Sequence, residues 1–316
     1  MKKTIVCVIS ITLMLVSLLS GCASQSIVQE SAVTPTPKQT ASESAIPVQS
    51  TDEPAEKRTL LVYAGAASKP PTEEAAQLFE TKTGVHVDLV FGGSGTVLSQ
   101  MTLNKNGDLY FPGSSDFMEK AKSDGLVYGD TEQKIVYLVN AINVQKGNPK
   151  QIHSLRDLLK PGLKVAIANP ETVCVGLYAT EIIDRNFNLE EKAAFIGNLI
   201  NYTESCDKTA TAISLKTVDA VIGWSVFQYW DPDNIETIPL SASEISRIGY
   251  IPIAISTFTQ QRDLAQQFID FLCSDEGQEI FKKYHYFTSS DEAVKYIGEE
   301  KPVGGEYILQ EGWISK

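Results

Sequence analysis

Apolar and polar residues alternate along the chain in blocks that predict strands and helices in turn. Short apolar runs such as Leu60–Ala64 and Leu163–Ala168 have the length of buried strands. Longer stretches such as Thr72–Thr83 and Gly176–Arg185 place apolar side chains three or four residues apart, which is typical of helices packed on a sheet. Strands and helices in this order favour parallel sheets with helical crossovers. The predicted fold class is therefore α/β.

Two longer apolar runs predict where the chain passes between two lobes. The runs Ile135–Val144 and Ile248–Ser256 contain no charged residue. One set of strands and helices precedes the first run, and a second set lies between the two runs. We therefore expect two lobes, each a mainly parallel sheet flanked by helices, joined by two hinge strands near Ile142 and Ile253 that allow the lobes to close.

The first 22 residues predict export. Lys2 and Lys3 precede an apolar run of about 15 residues, which is typical of a secretory signal and short of the ~20 residues that a membrane-spanning helix needs. Cys22 directly follows Ser20 and Gly21, which resembles the bacterial lipobox, where a lipid is attached to the cysteine before cleavage. We expect a lipoprotein anchored to the cell membrane through Cys22 and facing outside the cytoplasm. An uncleaved N-terminal anchor is the alternative.

Residues 23–58 are rich in Ser, Thr, Pro, Gln and Glu and contain few large apolar side chains. Such a segment cannot bury enough surface to offset the entropy lost on ordering, so we expect a disordered tether. The expected divisions are a signal peptide (1–21), a tether (22–58), lobe 1 (59–141 with 254–316) and lobe 2 (142–253).

Charge and composition disfavour several classes of function. The chain has 39 acidic against 27 basic residues and a net charge of −12, which argues against nucleic acid as a partner. The histidines, His86, His153 and His285, lie far apart and lack ligand spacing, so no histidine metal site and no cofactor are expected. We expect a monomer.

Five cysteines occur, of which Cys7 leaves with the signal peptide and Cys22 carries the lipid. The remaining three, Cys174, Cys206 and Cys273, are an odd number, so at least one thiol stays free. Cys273 lies in an amphipathic helical pattern, which predicts a small buried apolar residue.

Four loops predict a ligand site. They begin at Gly65, Phe91, Asn169 and Glu204, contain small or hydroxyl residues, and each immediately precedes a predicted helix. Ligands of open α/β sheets bind beyond the carboxyl ends of strands. The first N–H groups of a helix lack partners and lie at its positive end, so such loops bind anions without Lys or Arg. The alternative is that the serines in these loops only cap their own helices.

These loops and their surroundings resemble the molybdate-binding proteins of bacterial ABC importers, over roughly Thr59 to Tyr286. The resemblance implies two α/β lobes that close over one tetrahedral oxyanion, and an ABC permease as partner. The segments that carry it are Ala64–Ser68, Thr81–Val85, Phe91–Gly95, Gly107–Tyr110, Asn169–Val173, Gly176–Ala179 and Tyr250–Ala254.

The resemblance also implies which residues bind the oxyanion. Ser68 and Ser94 match two serines that donate through hydroxyl and backbone N–H, and Val175 matches a backbone N–H donor. Cys206 falls within a residue of a second backbone donor in lobe 2. Trp224 stands where the family has a tyrosine; its indole N–H donates a hydrogen bond but cannot accept one.

Cys174 is a further departure, since the family commonly has proline there. Three interpretations of Cys174 and Cys206 stay open: a disulfide, which an oxidising compartment favours; two thiols without a role; or soft ligands to the bound species.

The predicted function is a lipid-anchored, extracytoplasmic solute-binding protein that captures molybdate or tungstate for an ABC importer. The alternatives are another small anion, such as sulfate, or a soft metal species held by Cys174 and Cys206. An extracytoplasmic hydrolase is disfavoured because the chain has neither a G-x-S-x-G elbow nor a Walker loop.

Overall fold

The computed structural model describes residues 58–314. The predicted signal peptide, Cys22 and all of the predicted tether except residue 58 lie outside the described residues. Within residues 58–314, no helix has both the length and the apolar character needed to cross a membrane.

Most of the strands and helices lie where the apolar pattern predicts them, whereas the strands Leu199–Thr203 and Ile235–Pro239 and the helices Ser115–Ser123, Phe227–Trp230 and Ser290–Ile297 were not predicted. The strands are β1 (Thr59–Gly65), β2 (His86–Gly92), β3 (Leu109–Phe111), β4 (Gln133–Leu138), β5 (Asn140–Gln145), β6 (Val165–Ala168), β7 (Leu199–Thr203), β8 (Ala220–Trp224), β9 (Ile235–Pro239) and β10 (Gly249–Ile255). The helices are α1 (Lys69–Thr83), α2 (Ser94–Asn104), α3 (Ser115–Ser123), α4 (Cys174–Asn186), α5 (Leu189–Asn198), α6 (Cys206–Ser214), α7 (Phe227–Trp230), α8 (Arg262–Cys273), α9 (Asp275–Lys283) and α10 (Ser290–Ile297).

Two five-stranded sheets form the centres of two lobes, which confirms the predicted α/β, two-lobe architecture. Sheet 1 has the order β2-β1-β3-β10-β4, and sheet 2 has the order β7-β6-β8-β5-β9. The strands of the strand–helix units pair in parallel, as expected. β10 and β5 are antiparallel to both of their neighbours, so each sheet is mixed.

The chain crosses between the lobes at positions that differ from those predicted. The run Ile135–Val144 divides at Val139 into β4 of sheet 1 and β5 of sheet 2. The second run forms β10, which lies wholly in sheet 1, so the return crossing lies in residues 240–248. The predicted boundaries at 141/142 and 253/254 therefore fall inside single-sheet strands. Almost all residues of both runs are buried, so the apolar pattern does not reveal where the chain crosses from one sheet to the other.

The C-terminal segment also differs from its predicted place in lobe 1. α10 is an ordered helix, and Ala293 and Trp313 belong to the apolar core of lobe 2. Trp313 packs edge-on against Phe195, with ring centroids 6.3 Å apart, and its Nε1 donates to Asp184 at 2.9 Å. The chain therefore passes back to lobe 2 after α9.

Candidate functional site

Four helix N-termini meet where the two lobes touch. α2 and α3 belong to lobe 1, and α4 and α6 belong to lobe 2. The N–H of Gly95 in α2 donates to the carbonyl of Thr172, just before α4, at 2.8 Å. A Cβ added to Gly113, just before α3, would lie 2.5 Å from Sγ of Cys174. The predicted loops that begin at Phe91 and Asn169 therefore face each other across the closed interface between the lobes, and the start of α3, which was not predicted, joins them there.

The two predicted serines of lobe 1 are buried at this interface. Ser68 is 0% and Ser94 is 1% exposed. Ser68 Oγ accepts a hydrogen bond from Thr72 Oγ1 at 3.0 Å, and Ser94 Oγ accepts one from the N–H of Gly113 at 3.0 Å. Neither side chain caps its own helix. The structure therefore contradicts the alternative in which these two serines only cap their own helices.

The two predicted cysteines of lobe 2 lie side by side. Cys174 and Cys206 are the first residues of α4 and α6, and their Sγ atoms are 3.6 Å apart. Both are free, since a disulfide needs a separation of about 2.0 Å. Burial raises the pKa of the Cys206 thiol well above its usual value, and Cys174 adds to this. The N–H of Val175 and the indole of Trp224 act in the opposite sense. Cys206 is therefore a neutral thiol here.

The third cysteine departs from its prediction. Cys273 ends α8 and is exposed, whereas the amphipathic pattern predicts that it is buried. The burial of Leu272 and Phe268 shows that the apolar face of α8 passes beside Cys273 without including it.

Trp224 supplies a buried donor at the end of β8. The side chain is 0% exposed, and its ring meets the edge of Tyr178 at a centroid distance of 5.0 Å. Its Nε1 makes no hydrogen bond, and the hydroxyl of Tyr178 also lacks a partner. An unsatisfied buried polar group costs about 1–3 kcal/mol, so these groups are poised to bind an acceptor.

The five predicted binding residues are all electrically neutral. The mouth of the cleft is lined by four charged residues, Lys69 of lobe 1 and Glu204, Asp207 and Lys208 of lobe 2, and the charged groups of Lys69 and Asp207 are 3.5 Å apart. A cavity of about 400 Å³ opens there, beside Gly93 and Thr172. Among residues 58–314, no group of three or more His, Cys, Asp or Glu side chains is placed to hold a metal ion. The five predicted residues therefore offer hydroxyl, N–H and thiol groups, whereas the charged side chains lie at the mouth of the cleft.

A charged cluster behind the site was not predicted from the sequence. Arg247, in the return crossing, is 5% exposed. Its guanidinium binds both oxygens of Asp116 in lobe 1, at 2.9 and 3.1 Å, and Glu181 in lobe 2 at 2.8 Å. It also lies 3.9 Å above the ring of Tyr178, which packs on Trp224. The three charged residues are distant in sequence and share no motif, so no local signal marks them.

The sequence is similar to known binding proteins. The model of the family described as bacterial extracellular solute-binding protein matches residues 60–287, more than half of the chain. The putative ABC transporter substrate-binding lipoprotein YvgL of Bacillus subtilis is 25% identical over 240 residues, 75% of this chain and 90% of that protein. The molybdate-binding protein ModA of Rhodobacter capsulatus is 26% identical over 243 residues, 74% of this chain and 90% of that protein.

The fold is similar to that of solved binding proteins. The sulfate-binding protein SubI from Mycobacterium tuberculosis superposes with a TM-score of 0.66 at 15% identity, covering 78% of this chain and 94% of that one. At this identity the likeness shows the two-lobe fold of periplasmic binding proteins and leaves the ligand open.

Proposed function

We propose that this chain, which belongs to the bacterial extracellular solute-binding protein family, captures a tetrahedral oxyanion, molybdate or tungstate, for an ABC importer. The observation that carries the proposal is the meeting of four helix N-termini from two lobes around buried neutral donors. Helix N-termini bind anions through their free N–H groups and the helix dipole. The molybdate-binding relative supports the choice of anion.

The binding residues that we propose are Ser68, Ser94, Val175, Cys206 and Trp224. These groups act mainly as donors, so they suit an anion that carries no proton of its own. With no cation among them, selectivity rests on the size of the site and the direction of its donors.

Sulfate is the second candidate, supported by the sulfate-binding protein that shares the fold. A soft metal species bound by Cys174 and Cys206 is a third, supported by the 3.6 Å separation of their sulfur atoms. Against a hydrolase, the named relatives are binding proteins.

We also propose that Cys22 carries a lipid that holds the protein on the outer face of the cell membrane, where it meets the permease subunits. The lipobox-like segment before Cys22 supports this, as does the name of the Bacillus subtilis relative, a lipoprotein.

A calorimetric and thermal-shift screen tests the choice of ligand. The probes are molybdate, tungstate, sulfate and phosphate, with silver ion as a soft cation and a sugar and a short peptide as unrelated solutes. We expect molybdate or tungstate to bind tightest and to raise the unfolding temperature, with a stabilisation that grows as the logarithm of ligand concentration over Kd. A protein that ignored every oxyanion but bound the sugar, the peptide or silver would overturn the proposal.

Replacing Ser94 with alanine should weaken oxyanion binding by roughly 10–150-fold, because a hydrogen bond to a charged group is typically worth ~1.5–3 kcal/mol. Ser68→Ala should act in the same direction. Titration calorimetry measures both.

The matched control is Ser99→Ala, on the exposed side of the same helix, where the hydroxyl bonds only the carbonyl of Gly95. Its affinity should equal that of the unchanged protein. A Ser94→Ala protein that bound as tightly as this control would place the site elsewhere.

A further inference from the structure

We propose that Cys174 and Cys206 form a reversible disulfide inside the cleft between the lobes. We further propose that the dithiol and disulfide forms differ in ligand affinity, a part that rests on the function proposed above.

The two cysteines are held as a pair by the framework of one lobe. α4 follows β6 and α6 follows β7, and these strands are parallel neighbours in sheet 2. Each cysteine is the first residue of its helix, so both side chains start from the same edge of the sheet. The sulfur atoms are 3.6 Å apart and must approach by about 1.6 Å to bond, a distance within reach of side-chain rotation. Opening of the lobes does not separate them.

Bond formation needs an external oxidant, which we take to be a disulfide of a small thiol or of a thiol–disulfide oxidoreductase. The thiolate of one cysteine attacks a sulfur of this disulfide, and the first reduced thiol leaves. The second cysteine, deprotonated in turn, attacks the mixed disulfide at the protein sulfur, and the second reduced thiol leaves. Two protein thiols are oxidised and one external disulfide is reduced to two thiols.

Lobe 1 controls access to this pair. Cys174 and Cys206 are each 1% exposed in the closed arrangement. A Cβ built on Gly113 would lie 2.5 Å from Cys174 Sγ and 2.6 Å from the Ala67 Cβ, so lobe 1 covers the sulfur directly. Burial also keeps Cys206 protonated, and a thiol attacks a disulfide only as the thiolate. Oxidation is therefore a reaction of the open form.

The disulfide changes the binding site itself. Both sulfur atoms lie at the helix starts that we propose to bind the oxyanion, close to each other at 3.6 Å. Bond formation draws them together by about 1.6 Å and removes both S–H hydrogens, which changes the shape of the site and the donors that it offers. We expect the Kd of the oxyanion to differ roughly tenfold between the two forms, the lower end of what one hydrogen bond to a charged group contributes.

The first experiment tests the pairing without any ligand. The full chain is incubated with glutathione disulfide, alkylated, and each cysteine is assigned by peptide mass spectrometry before and after reduction. We expect Cys174 and Cys206 to lose alkylation together and to appear as one cross-linked pair, whereas exposed Cys273 either stays alkylated or carries glutathione.

The control variant is Cys174→Ser, in which Cys206 should carry glutathione because no partner thiol can displace it. The inference falls if both cysteines of the unchanged protein stay alkylated, or if each carries its own glutathione.

The second experiment adds molybdate as the probe. Molybdate should slow disulfide formation several-fold, since a bound ligand holds the lobes closed, and calorimetry should give different Kd values for the two redox forms. If the disulfide forms but no oxyanion binds, the proposed function is wrong and the redox pair stands. If molybdate binds but the disulfide does not form, or if the two redox forms have equal Kd values, this inference is wrong and the proposed function stands.

Discussion

Replacing Arg247 with methionine should lower the free energy of unfolding by about 3–5 kcal/mol, the usual effect of removing one partner from a buried ion network. Arg247 is 5% exposed, and its guanidinium binds Asp116 at 2.9 and 3.1 Å and Glu181 at 2.8 Å. The side chains of Asp116 and Glu181 are 7% and 3% exposed, so both carboxylates are buried as Arg247 is. Without the arginine, Asp116 keeps no cationic partner in the cluster and Glu181 keeps only Arg185, which is largely exposed.

Thermal or urea unfolding measures the effect, and Arg262→Met is the matched control. Arg262 pairs with Asp130 at 3.6 Å on the exposed surface and lies over the ring of Tyr128. Surface pairs contribute about 0–1 kcal/mol, so the control should change little.

A triple variant, Arg247→Met with Asp116→Asn and Glu181→Gln, should recover part of the lost stability, because no buried charge is then left unpaired. If Arg247→Met were no more harmful than Arg262→Met, the buried network would have no structural role.

Replacing Gly93 with alanine should hold the lobes apart and weaken ligand binding by roughly 5–150-fold, corresponding to about 1–3 kcal/mol of overpacking in the closed form. The added Cβ would lie 2.7 Å from the carbonyl oxygen of Thr172 and 2.9 Å from that of Glu204, both in lobe 2. These are backbone atoms, which cannot rotate away as a side chain can. Gly93 has φ −62°, which alanine adopts without strain, so lobe 1 itself should fold normally.

Small-angle scattering and calorimetry together measure this effect, the first reporting compactness with saturating molybdate and the second reporting affinity. Gly197→Ala, in α5, is the control, because an added Cβ there meets no atom within 4 Å. It should stabilise lobe 2 slightly without changing the scattering. A Gly93→Ala protein as compact and as tight-binding as the control would show that contact at Gly93 does not limit closure.

Alternation of short apolar runs with helical patterns predicted the α/β class and the loops at the ends of β1, β2 and β6, because these features depend on neighbours in sequence. The loop before α6 was predicted from its position ahead of a helix alone, since β7 was not predicted. Local signals were weaker at helix starts. α4 begins at Cys174, two residues before the predicted start at Gly176. The start was missed because its N-cap residue, Val173, is not of a type that typically caps helices. That shift makes Cys174 the first residue of a helix, beside Cys206.

The sequence by itself determined which loops carry donors and which residues are neutral, since a strand followed by a small, hydroxyl-bearing turn and a helix is a local pattern. Only the tertiary structure decided how these loops meet. The crossing at Val139, the packing of Trp313 on lobe 2 and the Arg247 network all join residues far apart in the chain. The physical reason is that a buried strand, a buried tryptophan and a buried ion pair are each compatible with many partners, and only the packing of both lobes together selects one.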